Sequence, residues 1–263
     1  MVNTEKILYL NMNIEYSTLA TQREISESVI NWRLCDLSQE YPFNSSSVLV
    51  LNSDFYQSLE CLWRTGVTVK PPVRSVIEWF NFSLNSAQIV ILPLCWRGHF
   101  YLLVAILNPV APSIQVLESI GGEFAVIPPF TDIFGKVLSS LIQLSFVAPL
   151  WQESTDFSIC IPTVPRQPLG SNNCGLFSLK YAELILTSPE EFTRKLLNES
   201  LHDWFPIETI ENMRCDLTER IQYLAVEQRK DGGLMVGRHL DLPLPSPSFV
   251  FAQVINHIDP LII

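Results

Sequence analysis

The chain has 263 residues, a formal charge of −10 from 27 acidic against 17 basic side chains, and 48% hydrophobic residues that include six Trp and fifteen Phe. This length and composition suit a packed core and exclude a disordered polyelectrolyte. So few Lys and Arg leave no phosphate-neutralising surface, so nucleic acid is not an expected partner.

No apolar run reaches the roughly eighteen residues that span a bilayer, and residues 1–10 carry Glu5 and Lys6 where a secretory signal has an apolar core. The expectation is no membrane partner and an intracellular location, nucleus or cytoplasm.

Along the chain, Ile25, Val29, Ile30, Leu34 and Leu37 fall at helical spacing and predict an amphipathic helix over 21–37 capped by Thr21. After a turn at 44–47, residues 48–51 read as extended and 53–63 as a second helix headed by Ser53 or Asp54. From Gln88 the pattern changes to short apolar runs, 89–94, 100–107 and 114–117, which predict buried strands. Trp96-Arg97-Gly98 and the stretch from Asn108 to Pro112 are turn-compatible, so an antiparallel meander is expected, ended by Gly121-Gly122.

Residues 130–146 read as a helix capped by Thr131 or Asp132, and 158–164 as a last strand. The breakers Pro165, Pro168 and Gly170 precede a buried helix over 174–186, which Cys174 opens. A charged amphipathic helix over 207–228 stops at Asp231-Gly232-Gly233. The domain expectation is one folded domain, 1–230, followed by a Pro-rich extension, 231–263, read as an extended strap or partner-binding tail.

Six cysteines, at 35, 61, 95, 160, 174 and 215, form no CxxC pair and have no His at ligand spacing. Neither a zinc site nor a disulfide framework is suggested, and most are expected to be small buried hydrophobes. No metal and no cofactor are expected.

Cys174 differs because it heads a helix. A thiol attacks a carbonyl as thiolate, and the unpaired N–H groups and dipole at a helix start favour that charge. Gly175 beside it is expected to let a substrate backbone approach. The thiol also needs a base. Of the four histidines, His202, His239 and His257 lie in helical or tail regions, whereas His99 sits where a turn meets a strand. Glu118, at the end of the neighbouring strand, is the candidate to orient His99 and stabilise its imidazolium. Gln167, in the Pro-bounded loop, is the candidate oxyanion donor alongside the Cys174 backbone N–H.

The order His99, Glu118, Gln167, Cys174, within GHFYLLVAI, LESIGG and QPLGSNNCGLFSLKYAE, resembles the SUMO-specific Ulp/SENP-type cysteine proteases. SVINWRL and VLNSDFYQSLE resemble that family's early helical segments, so the likeness covers roughly residues 15 to 225.

The resemblance implies a papain-like α+β fold: a central, mostly antiparallel sheet flanked by helices, with the nucleophile at a helix N-terminus. It implies hydrolysis after Gly-Gly of a ubiquitin-like protein, SUMO favoured, or of its conjugates, by a monomer. Phe100, Gly175 and Asn173 are then the residues expected to touch substrate.

Four positions depart from that pattern. Glu118 stands where the family usually has Asp, Phe100 and Glu24 where it has the two tryptophans of the diglycine tunnel, and Asn173 where it has Asp. The glutamate, the seven-residue spacing from Gln167 to Cys174 and the Asn108-Pro109 turn are similar to the adenovirus maturation protease. Two alternatives therefore stay open: a viral-type polyprotein maturation protease, and a catalytically inactive module that binds a ubiquitin-like protein.

Overall fold

A computed structural model describes residues 12–20, 23–41, 47–53, 55–56, 60, 64, 87–121, 126–143, 156–198 and 200–230. The Pro-rich extension and Cys61 lie outside them. The described elements in chain order are α1 (Met12–Ala20), α2 (Glu27–Glu40), β1 (Val48–Val50), β2 (Ile89–Trp96), β3 (His99–Ile106), β4 (Ser113–Glu118), α3 (Thr131–Gln143), β5 (Ser158–Cys160), α4 (Cys174–Thr187), α5 (Pro189–Asn198) and α6 (Glu208–Lys230).

The five strands form one mixed sheet in sequence order. Its centre is the expected meander, β2 antiparallel to β3 and β3 antiparallel to β4. The two edges are three-residue strands paired parallel, β1 on β2 and β5 on β4. Edges this short offer little free backbone for unwanted pairing.

Strands β2 and β3 read as unbroken apolar runs because both of their faces are covered. Ile89, Ile91, Phe100, Leu102 and Val104 face a core shared with α2 and α4, which includes Cys174. Val90, Leu92, Leu94, Tyr101 and Leu103 face the opposite core, built with Phe130, Phe134, Leu138 and Ile142 of the α3 region and with Phe55 and Tyr56. The result is an α+β arrangement with helices on both sides of the sheet.

Several boundaries differ from expectation. The first predicted helix starts at Glu27, not near Thr21: Ser26 is the N-cap, its Oγ accepting from the Val29 N–H at 3.2 Å and donating to Glu15 at 2.8 Å. Residues 23–26 are not helical, and Ile25 is used instead to cover the start of α4. The last strand is three residues long, not seven. Helices α1 and α5 were not expected at all. In the predicted helix over 53–63, residues 53, 55, 56 and 60 are helical and the others lie outside the described residues.

Helix α4 is buried along most of its length, from Cys174 to Leu186. Phe177 and Tyr181 pack against Phe205, and Trp204 stacks on both Tyr181 and Phe192. The Tyr181 hydroxyl donates to the Pro165 carbonyl at 2.7 Å and so ties α4 to the loop that precedes it. The nucleophile candidate thus heads a helix packed firmly into the core.

Candidate active site

The β2–β3 connection is a two-residue turn in which Arg97 and Gly98 both have positive φ, 53° and 74°. Such a turn matches the twist of an antiparallel pair. It sets Trp96 opposite His99 and makes His99 the first residue of β3. The Arg97 guanidinium lies 4.7 Å from the Trp96 ring centroid, a cation–π contact that accompanies the left-handed arginine.

Glu118 ends β4 one strand away. Its Oε1 is 2.7 Å from His99 Nε2. The same oxygen accepts from the Ile120 N–H at 2.6 Å, and Oε2 accepts from the Gly121 N–H at 2.7 Å. Gly121 has φ +68°, the left-handed conformation that favours glycine. Gly121, read from sequence together with Gly122 only as a sheet terminator, therefore builds part of the anion cradle, while Gly122 lies outside the described residues. Burial pushes the Glu118 carboxyl pKa up, but the bonds from His99, Gly121 and Ile120 outweigh it and the net shift is down. Glu118 is held as a carboxylate.

With Nε2 on Glu118, Nδ1 is the ring nitrogen left for Cys174, whose side chain hydrogen-bonds to His99. Burial alone would lower the His99 pKa. The bonds to Cys174 and Glu118 together reverse this and raise it to about 9. Tyr101 places its ring edge-on to the imidazole, centroids 4.8 Å apart, and confines it laterally. Cys174 is 3% exposed. Its backbone N–H, at the first position of α4, has no partner within the helix.

Among the other described cysteines, Cys35 and Cys95 have thiols pushed up to about 11, chiefly by burial. They are poor nucleophiles. Cys160 and Cys215 are exposed and Cys95 is half-buried, against the expectation that most of the cysteines would be buried. Among the described residues no three His, Cys, Asp or Glu side chains gather as metal ligands.

Gln167 joins this cluster through Ser119, the residue after Glu118. Its backbone N–H donates to the Ser119 carbonyl at 2.8 Å, and its side-chain Oε1 accepts from Ser119 Oγ at 3.0 Å. Its Nε2 donates to the Ser171 carbonyl at 3.2 Å.

The three residues expected to touch substrate are placed differently. A Cβ at Gly175 would lie 2.6 Å from Ile25 Cγ1 and 3.2 Å from Phe100 Cδ2, so the missing side chain makes room for Ile25 and Phe100. Phe100 is 4% exposed because β3 turns it toward α4 and Ile25. Asn173 makes no side-chain cap, and its Oδ1 accepts from Arg214 Nη2 at 2.7 Å.

Arg214, which sequence reasoning missed, also donates to the carbonyls of Asn172, Arg23 and Leu19 at 3.3, 3.1 and 3.4 Å. One guanidinium on α6 thereby fastens α1 and the segment before α2 to the start of α4. Nothing in the local sequence marks it, because its acceptors are mostly backbone carbonyls far away in the chain.

The family model described as the Ulp1 protease family, C-terminal catalytic domain, matches residues 23–218. The chain belongs to the Ulp1 protease family. It is a cysteine protease by that membership, as the Cys174 chemistry suggested. Two solved structures share the Ulp1 family fold with it. One is a de-sumoylating protease, 16% identical, with 84% of this chain and 90% of that chain covered at a TM-score of 0.59. The other is the SUMO protease Ulp1 with its catalytic cysteine oxidised to a sulfenic acid, 16% identical, with 80% and 83% covered at a TM-score of 0.54. A search of curated proteins finds no match.

Proposed function

We propose that this Ulp1-family chain hydrolyses the peptide or isopeptide bond that follows the C-terminal Gly-Gly of a ubiquitin-like protein, SUMO first among them. The observation that carries the reading is the hydrogen-bonded series Cys174, His99, Glu118, with the cysteine at the head of a buried helix.

His99 takes the Cys174 thiol proton on Nδ1, and Glu118 at Nε2 holds the resulting imidazolium. The thiolate adds to the scissile carbonyl carbon. The Cys174 N–H and the Gln167 amide stabilise the oxyanion that forms. The tetrahedral species collapses, the leaving amine takes the proton from His99, and a thioester remains on Cys174. His99 then deprotonates a water that attacks the thioester, releasing the glycine carboxylate and restoring the thiol. No step needs a cofactor.

Substrate choice rests on the family and on what its solved members are called. The direct test is to incubate the protein with C-terminally extended SUMO and ubiquitin precursors and to weigh the products. The expected product is SUMO ending at its diglycine. No cleavage, or cleavage elsewhere, contradicts the reading.

A second reading is favoured by the buried Phe100 and the exposed Glu24, which the family resemblance sets at the tryptophan positions of the diglycine tunnel. Cleavage of an extended peptide without a ubiquitin-like body would support a maturation protease of the viral polyprotein kind.

A further inference from the structure

We infer that Ser119 is a positioning residue for the reaction, fixing the Gln167 amide so that its N–H group faces the oxyanion. The inference rests on the oxyanion role proposed for Gln167.

Ser119 is 1% exposed and directly follows Glu118. It holds Gln167 at two points: its carbonyl accepts the Gln167 backbone N–H at 2.8 Å, and its hydroxyl donates to Gln167 Oε1 at 3.0 Å. On the other side, Gln167 Nε2 donates to the Ser171 carbonyl at 3.2 Å. A carbonyl only accepts, so the amide nitrogen must lie toward Ser171 and the amide oxygen toward Ser119. The flipped amide would set oxygen against oxygen at Ser171.

An amide nitrogen carries two hydrogens. Ser171 takes one, and the other is left for a developing oxyanion. The Ser119 hydroxyl also polarises the amide by binding its oxygen, which strengthens the remaining N–H as a donor. The dipeptide Glu118-Ser119 thus sets two parts of the machinery at once, the carboxylate side orienting the imidazole and the serine orienting the amide.

The backbone contact survives removal of the hydroxyl, so Ser119→Ala is expected to keep the loop in place and to lose only the amide orientation. The test compares wild type, Ser119→Ala, Gln167→Ala and the double variant by hydrolysis of a SUMO C-terminal coumarin amide and by iodoacetamide alkylation of Cys174. Alkylation reads the thiolate and forms no oxyanion.

The expected result for Ser119→Ala is a kcat about tenfold lower with KM within about twofold, a partial loss compared with the roughly 10²-fold or greater fall from removing an oxyanion donor. The double variant should match Gln167→Ala, and alkylation rates should be equal throughout.

Wild-type kcat in Ser119→Ala beside a damaged Gln167→Ala overturns the role of Ser119 and leaves that of Gln167 standing. Slowed alkylation in Ser119→Ala overturns it as well, since the serine would then be acting on general structure. An unimpaired Gln167→Ala overturns the oxyanion assignment, and a wild type silent toward the amide overturns the function; either removes the basis for the inference.

Discussion

Glu118 Oε1 accepts from both His99 Nε2, at 2.7 Å, and the Ile120 N–H, at 2.6 Å, while Oε2 accepts from the Gly121 N–H. All three partners donate to this carboxylate, so an amide cannot replace it without turning an N–H toward a donor. Glu118→Gln should lower kcat by about a hundredfold or more and reduce the melting temperature, since a mis-set imidazole tautomer is costly in such triads. Parallel kinetics and thermal melts check this. Wild-type kcat would show that the contact does not orient the base.

The raised pKa of His99 also has a thermodynamic sign. A histidine whose folded pKa lies near 9, above its ordinary 6.5, adds stability that is fully present below 6.5 and is lost as pH rises through about 9. Glu118 acts in the opposite direction: with its pKa lowered from 4.5, its contribution is present above 4.5 and lost as pH falls through the lower folded value. Denaturant midpoints should therefore decline between pH 7 and pH 9 by more in wild type than in His99→Gln. The alkaline limb of kcat should fall near pH 9, where the imidazolium that protonates the leaving amine is lost.

Gly175 meets a steric limit. An added methyl would sit 2.6 Å and 3.0 Å from two carbons of Ile25 and 3.2 Å from Phe100. Gly175→Ala should destabilise the fold by about 1–3 kcal/mol, the usual range for overpacking a filled core. Urea denaturation measures it. Pairing the change with Ile25→Val should recover part of the loss.

Arg214 makes its bonds to four acceptors on three segments. Arg214→Met keeps much of the aliphatic stem and removes the guanidinium, so the expected cost is about 1–3 kcal/mol from acceptors left unpaired. Hydrogen exchange should rise in α1 and at the start of α4 with little change in α3, which lies on the other side of the sheet. Uniform exchange changes would mean the guanidinium acts on global stability alone.

The sheet's centre was legible because two-sided burial writes continuous apolar runs into 89–94 and 100–107, and Arg97-Gly98 marks the turn between them. The ordering of Cys174, His99 and Glu118 was legible through residue type and position at element ends. Helix α5 carried a readable signal, Ser188 and Pro189 ahead of Glu190 and Glu191, that the reading of apolar runs passed over.

Other features have no local signature. The roles of Arg214, Ser119 and Ile25 arise from contacts between residues 41 to 195 positions apart. Gly175 has two readings because a glycine beside a nucleophile fits either substrate approach or close helix packing, and the packing against Ile25 and Phe100 has no sequence signature.

The most direct test of the account is covalent capture by C-terminally electrophilic SUMO and ubiquitin probes, read by intact mass on wild type and Cys174→Ala. The account predicts a single adduct on wild type with the SUMO probe and none on Cys174→Ala. An adduct that persists in Cys174→Ala, or a wild type that no probe modifies, would contradict it.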